Sequence, residues 1–177
     1  MGQLLTDALV IKNETQTNAN TATRVGTWMQ NCAIQVEETP SALNFFDFAS
    51  SGTTTLAENV WSPINATITT GFNRNGLSVN ASGLVTYSGD LKYFRTSAIV
   101  ALIGQSSRKI HVAIFKNAEL WPCSEFVSVT PSSNEVTIPS QCVVPLSSGD
   151  TIQMYVKCST HAVTLTLDNL NVIINEF

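Results

Sequence analysis

Short runs of residues with alternating apolar and polar side chains fill the chain from about residue 41 onwards. TIQMYVKC, residues 151–158, alternates at every position, and KIHVAIFKN, residues 109–117, places every second residue of its centre on one apolar face. A period of two is that of a β-strand with one buried face, whereas a helix repeats every 3.6 residues. The residues predicted to share buried faces are Ile110, Val112, Ile114, Ile152, Met154 and Val156.

Turn residues separate these runs at intervals of about 8–15 residues, as expected for many short strands. The predicted turns are Gly71, Asn75–Gly76, Ser82–Gly83, Ser88–Gly89–Asp90, Lys116–Asn117, Pro131–Ser132–Ser133–Asn134 and Ser148–Gly149–Asp150. This spacing predicts a mainly β fold, an antiparallel jelly-roll sandwich. The ends of LKYFRTSAIVALI (91–103) and LNVIINEF (170–177) are apolar on both faces, so both strands are expected to be covered on two sides.

A different period marks the N-terminus. The first dozen residues predict an extended arm, and from Asn20 or Thr21, either of which can cap a helix, apolar residues recur at spacings of three and four. The stripe of this helix consists of Val25, Trp28, Met29, Cys32 and Val36. Pro40 then ends the helix. We therefore expect residues 1–40 to form an arm and short helix, and residues 41–177 to form the jelly-roll head.

Composition and charge exclude several classes of function. Only 12% of the residues are charged, about half of the usual share. The net charge is −4, and Arg108–Lys109 is the only adjacent basic pair, so no nucleic-acid partner is expected. The sequence has neither the basic start of a signal peptide nor an apolar run long enough to span a membrane.

No constellation of catalytic residues is evident. His111 lies within a predicted strand and His161 within a turn, and no G-x-S-x-G motif accompanies them. Four cysteines lie far apart, without metal-ligand spacing: Cys32, Cys123, Cys142 and Cys158. Cys158 is in phase with a buried face, and a bridge between Cys123 and Cys142 is left open. No enzymatic activity, cofactor or metal is therefore predicted.

The segment ETQTNANTATRVGTWM, residues 14–29, resembles one found in bacteriophage tail and fibre proteins, where an acidic residue precedes a run that opens a short helix. The matching residues are Glu14, Asn20, Thr21, Arg24, Val25 and Gly26. Asn18 replaces an expected Gly, a mild departure because Asn tolerates left-handed backbone. The resemblance implies that this segment attaches the chain to a virion.

The C-terminal strands, in particular IFKN and SGDTIQMYV, are similar to heads of the tumour necrosis factor and complement-head superfamily. Ala118 follows FKN where Gly usually completes a two-residue turn, so a longer loop is expected there. The resemblance implies a ten-strand jelly roll that forms a homotrimer and has no activity of its own. The trimer-interface candidates are Val25, Trp28, Met29, Val36, Tyr155, Val172 and Ile174.

Together the two resemblances imply a virion structural protein, a short trimeric head or tail fibre or decoration, assembled in the bacterial cytoplasm. Its expected partners are other virion proteins, of the capsid, the portal and collar or the tail, and a host-surface glycan or protein that its head would bind as a receptor. One alternative is a secreted trimeric ligand of the same fold, and another is a carbohydrate-cleaving tailspike. A further alternative is that the N-terminal helix packs on its own sheet as a cap.

Overall fold

Two antiparallel β-sheets face each other in the computed structural model, which describes residues 40–47, 52–132 and 134–177. The described residues form thirteen strands: β1 (Ala42–Asp47), β2 (Thr53–Leu56), β3 (Ser62–Pro63), β4 (Thr69–Arg74), β5 (Leu77–Val79), β6 (Val85–Tyr87), β7 (Lys92–Ile103), β8 (Lys109–Lys116), β9 (Glu119–Leu120), β10 (Phe126–Val129), β11 (Glu135–Leu146), β12 (Thr151–Cys158) and β13 (Val163–Glu176). The strands β3 and β9 contain only two residues each, and β5 and β6 contain three. The predicted β sandwich is confirmed.

The strand order within each sheet is not the order along the chain. Sheet A has the order β11-β7-β13-β1-β4, with β2 also paired to β13. Sheet B has the order β10-β8-β12-β6-β5, with β3 paired to β12 and β9 to β8. Successive strands therefore cross repeatedly between the sheets, as they do in a jelly roll. The last strand lies in the middle of sheet A, between β7 and β1.

The hydrophobic core lies between the sheets and is lined by alternate residues of the long strands. All six residues predicted to share buried faces are buried there, and Cys158 is buried with them. Each large aliphatic side chain so buried contributes about 1.5–3 kcal/mol. A local period of two was therefore sufficient to assign the inward faces of β8 and β12.

The outward face of sheet A differs from expectation. The end of β7 was expected to be covered on both sides, yet Ile99 is 52% exposed and Ile103 40% exposed. Ile173 in β13 is also exposed, at 39%. No second layer covers this face among the described residues. The apolar pattern was recognised correctly, but the expected cover is not part of the described chain.

Gly71 was predicted to form a turn, but it lies inside β4. The β1–β4 pairing passes from Asn44 opposite Phe72 to Phe45 opposite Thr70, so Gly71 is an extra, bulged residue. A Cβ at this position would approach Asn44 Oδ1 to 2.5 Å, so any larger residue in the bulge would require the Asn44 side chain to move.

The turn after β8 also differs from expectation. Lys116 pairs with Glu119, so the loop contains two residues, Asn117 and Ala118, rather than a longer run. Their φ angles are 51° and 63°, so both residues have left-handed backbone. Two such residues in succession form the type I′ turn, whose twist suits a hairpin. The pairing of the two strands thus overrides the conformational preference of Ala118.

The predicted arm, helix and attachment motif, within residues 1–39, lie outside the described residues. The domain boundary near residue 40 therefore stays a prediction, as do the proposed roles of Glu14, Asn20, Thr21, Arg24, Val25, Gly26, Trp28, Met29 and Val36. Within the described ranges, no helix is long and apolar enough to cross a membrane.

Candidate functional site

A broad exposed apolar surface of the described chain is the outward face of sheet A. We call it the apolar face and define it by Phe72, Ile99, Pro139 and Ile173. The strand register brings these residues together. Ile99 in β7 is opposite Pro139 in β11. Asn44 in β1 is opposite Ile173 of β13 on one side and opposite Phe72 of β4 on the other. Phe72 is 44% exposed. Contiguous exposed apolar surface of this kind usually marks an interaction site.

Charged residues lie outside the two central rows of this face, and one of them, Asp168, is in the bulge of the central strand β13. The two rows across its centre are Gln141–Ser97–Ile173–Asn44–Phe72 and Pro139–Ile99–Asn171–Phe46, and neither contains a charge. Arg95 and Arg74 lie in the next row towards one end, and Glu135 lies at the opposite end. An uncharged centre with a polar margin is the arrangement typical of a protein–protein interface.

Asparagine side chains between the apolar residues already have partners within the chain. Asn44 Nδ2 donates hydrogen bonds to Asn171 Oδ1 and to the carbonyl oxygen of Val172, both at 3.0 Å. These bonds join β1 to β13 on the outward side. The amides are therefore held in place, so that covering this face with another protein surface would leave few polar groups unsatisfied.

An ion pair fixes the end of β13 on the inward side of sheet A. Lys92 Nζ lies 2.8 Å from Glu176 Oε1, and the Ser41 amide donates to Glu176 Oε2 at 2.7 Å. Burial would raise the pKa of Glu176, but the hydrogen bonds from Lys92 and Ser41 outweigh it and lower that pKa. The hydrogen bond to Glu176 raises the pKa of Lys92. The C-terminal strand is thus tied to both neighbouring strands.

Two of the predicted interface residues are misplaced. Val172 is 1% exposed and Ile174 is 0% exposed, and both belong to the core between the sheets. A side chain completely buried within one chain has no surface left for a second chain, so this assignment was wrong. The alternation was correct but its direction was inverted, and Ile173, between them, is the residue that faces outward. Tyr155 lies on sheet B, away from the apolar face.

An aromatic cluster covers the outward side of β8 in sheet B. Tyr155 stacks on Phe115 with 4.0 Å between ring centroids, and Trp61 lies edge-on to Phe115 at 5.4 Å. Lys157 Nζ lies 4.5 Å from the centroid of the Trp61 ring, close enough for a cation–π interaction. This cover explains why Phe115 and His111 are buried although they point away from the core.

His111 connects two polar residues that are remote in sequence. Its Nδ1 lies 2.6 Å from Glu125 Oε1 and its Nε2 lies 2.8 Å from Ser159 Oγ. Sequence reasoning missed this link because the two partners are 14 and 48 residues from His111 and no local motif joins them. The network connects β8 to the segment before β10 and to the residue after β12.

The carboxylate of Glu125, the imidazole of His111 and the hydroxyl of Ser159 occur in the order of a hydrolase triad, and both contacts are within hydrogen-bond distance, as a triad requires. A triad also needs N–H donors for the developing oxyanion, commonly including the amide of the nucleophile itself. The Ser159 amide donates instead to the carbonyl oxygen of Lys109 at 3.0 Å. We therefore interpret the link between Glu125, His111 and Ser159 as structural.

Metal ligands are not grouped within the described ranges: no cluster of three or more His, Cys, Asp or Glu side chains occurs there. His161 Nδ1 lies 3.1 Å from a terminal guanidinium nitrogen of Arg108, in an exposed turn. In the part of the chain that the structure describes, the apolar face is therefore the feature that most clearly suggests a function.

Comparison with solved structures identifies the fold. Murine APRIL at pH 8.0 superposes with a TM-score of 0.55 and 15% sequence identity, over 78% of this chain and 100% of that chain. Eiger TNF from S. frugiperda superposes with a TM-score of 0.54 and 12% identity, over 78% and 94%. The PRD1 vertex protein P5 has a TM-score of only 0.47 at 14% identity, a likeness that carries no inference. The chain thus has the jelly-roll fold of these tumour-necrosis-factor-like domains.

No model of a known protein family matches the sequence, and no curated protein is similar to it.

Proposed function

We propose that the chain is a non-enzymatic structural protein of a bacteriophage virion, a short homotrimeric fibre or decoration that presents its β head for binding. The observation that carries the proposal is the apolar face of sheet A, which is uncharged at its centre and uncovered in the described chain. The resemblance of residues 14–29 to phage tail and fibre segments supports the virion role. Other virion proteins are its proposed partners through the N-terminus, and a host-surface glycan or protein is the proposed partner of the head.

Self-association through the apolar face accounts for its composition. A face lined by Phe72, Ile99 and Ile173 is unfavourable in water, because each exposed apolar Å² costs about 25 cal/mol relative to burial. Copies of one chain that are related by a closed rotation cover this face without leaving an exposed copy of it. A threefold rotation follows from the resemblance to trimeric heads. Ile99 and Ile173 therefore replace Val172 and Ile174 as interface residues.

A structural rather than enzymatic role agrees with the polar groups of the head. The one triad-like arrangement in the described residues has its serine amide committed to a backbone carbonyl. A carbohydrate-cleaving tailspike would require two carboxylates facing one groove. An assay separates the two roles: under the structural role, incubation with host polysaccharide should release no oligosaccharides.

Light scattering after size-exclusion chromatography tests the assembly. The full-length protein should have about three times the 19.1 kDa mass of the chain. Ile99→Glu and Ile173→Glu place a charge in the centre of the apolar face and should give monomers that retain β structure. Val129→Glu is the matched control, since Val129 is exposed on sheet B and should not affect the mass.

A monomeric wild-type protein at micromolar concentration would contradict the trimer and favour the alternative in which the N-terminal helix caps its own sheet. The virion role is tested separately, by supplying the protein to phage particles that lack it. Deletion of residues 1–40 should abolish incorporation while the head stays folded, and Arg24→Ala should weaken incorporation. A truncated chain that is incorporated normally would contradict attachment through the N-terminus.

A further inference from the structure

The segment between β9 and β10 closes one side of the sandwich, where the edge strand β11 of sheet A lies next to β10 of sheet B. Ser124 in this segment is completely buried. Its Oγ accepts a hydrogen bond from the Ile114 amide at 3.1 Å and lies 2.7 Å from the carbonyl oxygen of Trp121. The segment is thus fixed firmly to β8.

Two hydrogen bonds also fix the segment to β11. Trp121 Nε1 donates to the carbonyl oxygen of Val143 at 3.0 Å, and Ser140 Oγ donates to the carbonyl oxygen of Ser124 at 2.8 Å. Cys123 lies between Trp121 and Ser124 on one segment, and Cys142 lies between Ser140 and Val143 on the other. The same pair of bonds therefore brackets both cysteines.

The side chain of Cys142 points towards this closing segment. In β11 it is in phase with Ser140 and Val144, both of which are buried on the inward side of the strand. Burial, together with the nearby thiol of Cys123, raises the pKa of Cys142 to about 12. Cys123 is exposed to solvent.

Cys158 is excluded as a partner for either residue, because it is completely buried in β12 and its Sγ lies 3.3 Å from Thr160 Oγ1. The two bracketed cysteines are therefore the pair that the fold brings together among the described residues.

We propose that Cys123 and Cys142 form an intramolecular disulfide when the chain meets a small-molecule disulfide such as oxidised glutathione. The exposed Cys123 loses its proton and its thiolate attacks one sulfur of oxidised glutathione, which forms a mixed disulfide and releases one glutathione thiolate. Cys142 then loses its proton and attacks the Cys123 sulfur, releasing the second glutathione. The protein loses two protons and two electrons in total, and one oxidised glutathione becomes two reduced molecules.

This cross-link joins the segment that is fixed to sheet B with the edge strand of sheet A. It closes a loop of about 20 residues, and it removes conformational freedom from the unfolded chain. For a chain of this size we expect the midpoint of thermal unfolding to rise by about 5–10 °C on oxidation. The cross-link does not depend on the proposed virion role.

The experiment incubates the native full-length protein with oxidised glutathione at pH 8, then blocks the remaining thiols in denaturant and measures the mass. The intact protein should lose two hydrogen atoms and keep two blocked thiols. Digestion after glutamate cuts at Glu125 and Glu135, so that Cys123 and Cys142 fall on separate fragments, which the disulfide should hold together. The Cys158→Ser variant is the matched control and should form the same linked fragments.

In the Cys142→Ser variant, Cys123 should instead retain one glutathione as a stable mixed disulfide. In the Cys123→Ser variant, the linked fragments should be absent and the thermal midpoint should not rise on oxidation. The proposal is overturned if wild-type Cys123 stops at the glutathione adduct, if Cys123 pairs with Cys32, or if both cysteines remain free thiols.

Discussion

Lys116 Nζ and Asp150 Oδ2 lie 2.8 Å apart and join the end of β8 to the turn before β12. Asp150 also accepts hydrogen bonds from Asn117 Nδ2 at 2.7 Å and from the Ser147 amide at 2.8 Å. Burial alone would raise the pKa of Asp150, but these bonds outweigh it and lower that pKa to about 2. One carboxylate thus holds two adjacent turns together.

Asp150→Asn should therefore destabilise the protein in a manner that depends on pH. At pH 7 we expect the free energy of unfolding to fall by about 2 kcal/mol, since the neutral amide cannot replace the charged acceptor. The wild-type advantage is complete above the ordinary pKa near 3.8 and decreases as the pH falls towards 2, where the folded carboxyl group is protonated as well.

Urea unfolding at a series of pH values measures this difference. Asp90→Asn is the control, because Asp90 lies in a similar Ser-Gly-Asp turn but is exposed. It should change the free energy of unfolding by less than about 0.5 kcal/mol. A difference between wild type and Asp150→Asn that stays constant down to pH 2 would contradict the role assigned to the carboxylate.

Ala118→Gly should stabilise the protein. A left-handed backbone conformation costs an alanine about 1 kcal/mol, whereas glycine adopts it freely. The larger entropy of glycine in the unfolded chain offsets part of this gain, so we expect a net increase of about 0.5 kcal/mol in the free energy of unfolding. Equilibrium denaturation in urea measures it.

Asn117→Gly provides the contrasting variant for this turn. Asn117 has a similar φ angle. However, its side chain donates a hydrogen bond to Asp150 and accepts one from the Thr151 amide at 2.8 Å. Its replacement should lower the stability despite the same relief of backbone strain. Equal effects of the two substitutions would show that the side-chain bonds of Asn117 contribute nothing.

His111→Ala should destabilise the head by about 2–4 kcal/mol, because the substitution leaves a cavity beside Trp61 and removes the partner of both Glu125 and Ser159. Thermal unfolding followed by circular dichroism measures the loss. His161→Ala, at an exposed turn, should have little effect, and an equal effect of the two variants would contradict the structural role of the His111 network.

Removal of residues 170–177 should give insoluble or aggregated protein. The deletion takes half of β13 from the centre of sheet A, exposes the edges of β1 and β7 and withdraws Leu170, Val172 and Ile174 from the core. Phe177→Ala is the control and should cost little, because Phe177 is almost fully exposed. A truncated protein that remained soluble and β-rich would mean that sheet A does not need its central strand.

The sequence predicted those features that depend on neighbouring residues. The inward faces of β8 and β12 followed from the alternation around Val112 and around Met154, since a period of two is a local property. Which face of β13 is buried is not a local property. Val172 and Ile173 are both apolar, and only the packing of the sheets decides which of them is buried.

Contacts between residues that are distant in the sequence could not be predicted either, because they depend on the packing of the whole fold. Nothing near His111 in the sequence indicates Glu125 or Ser159, which become its neighbours only after three strands are in place. Ala118 was misjudged because its preference against left-handed backbone is worth about 1 kcal/mol, less than the strand pairing that imposes the turn. The exposure of Ile99 could not be predicted either, because an apolar residue in a strand carries no local sign of whether a second layer covers it.

The central position of the final strand has a consequence for how the protein is made. Ala42 pairs with Asn175, so β1, which already has β4 on one side, gains its second neighbour only after about 130 further residues have been synthesised. Until β13 leaves the ribosome, β1 and β7 have no strand between them, and sheet A cannot be completed. The nascent chain therefore carries open strand edges until β13 is available, and it is exposed to aggregation during that interval.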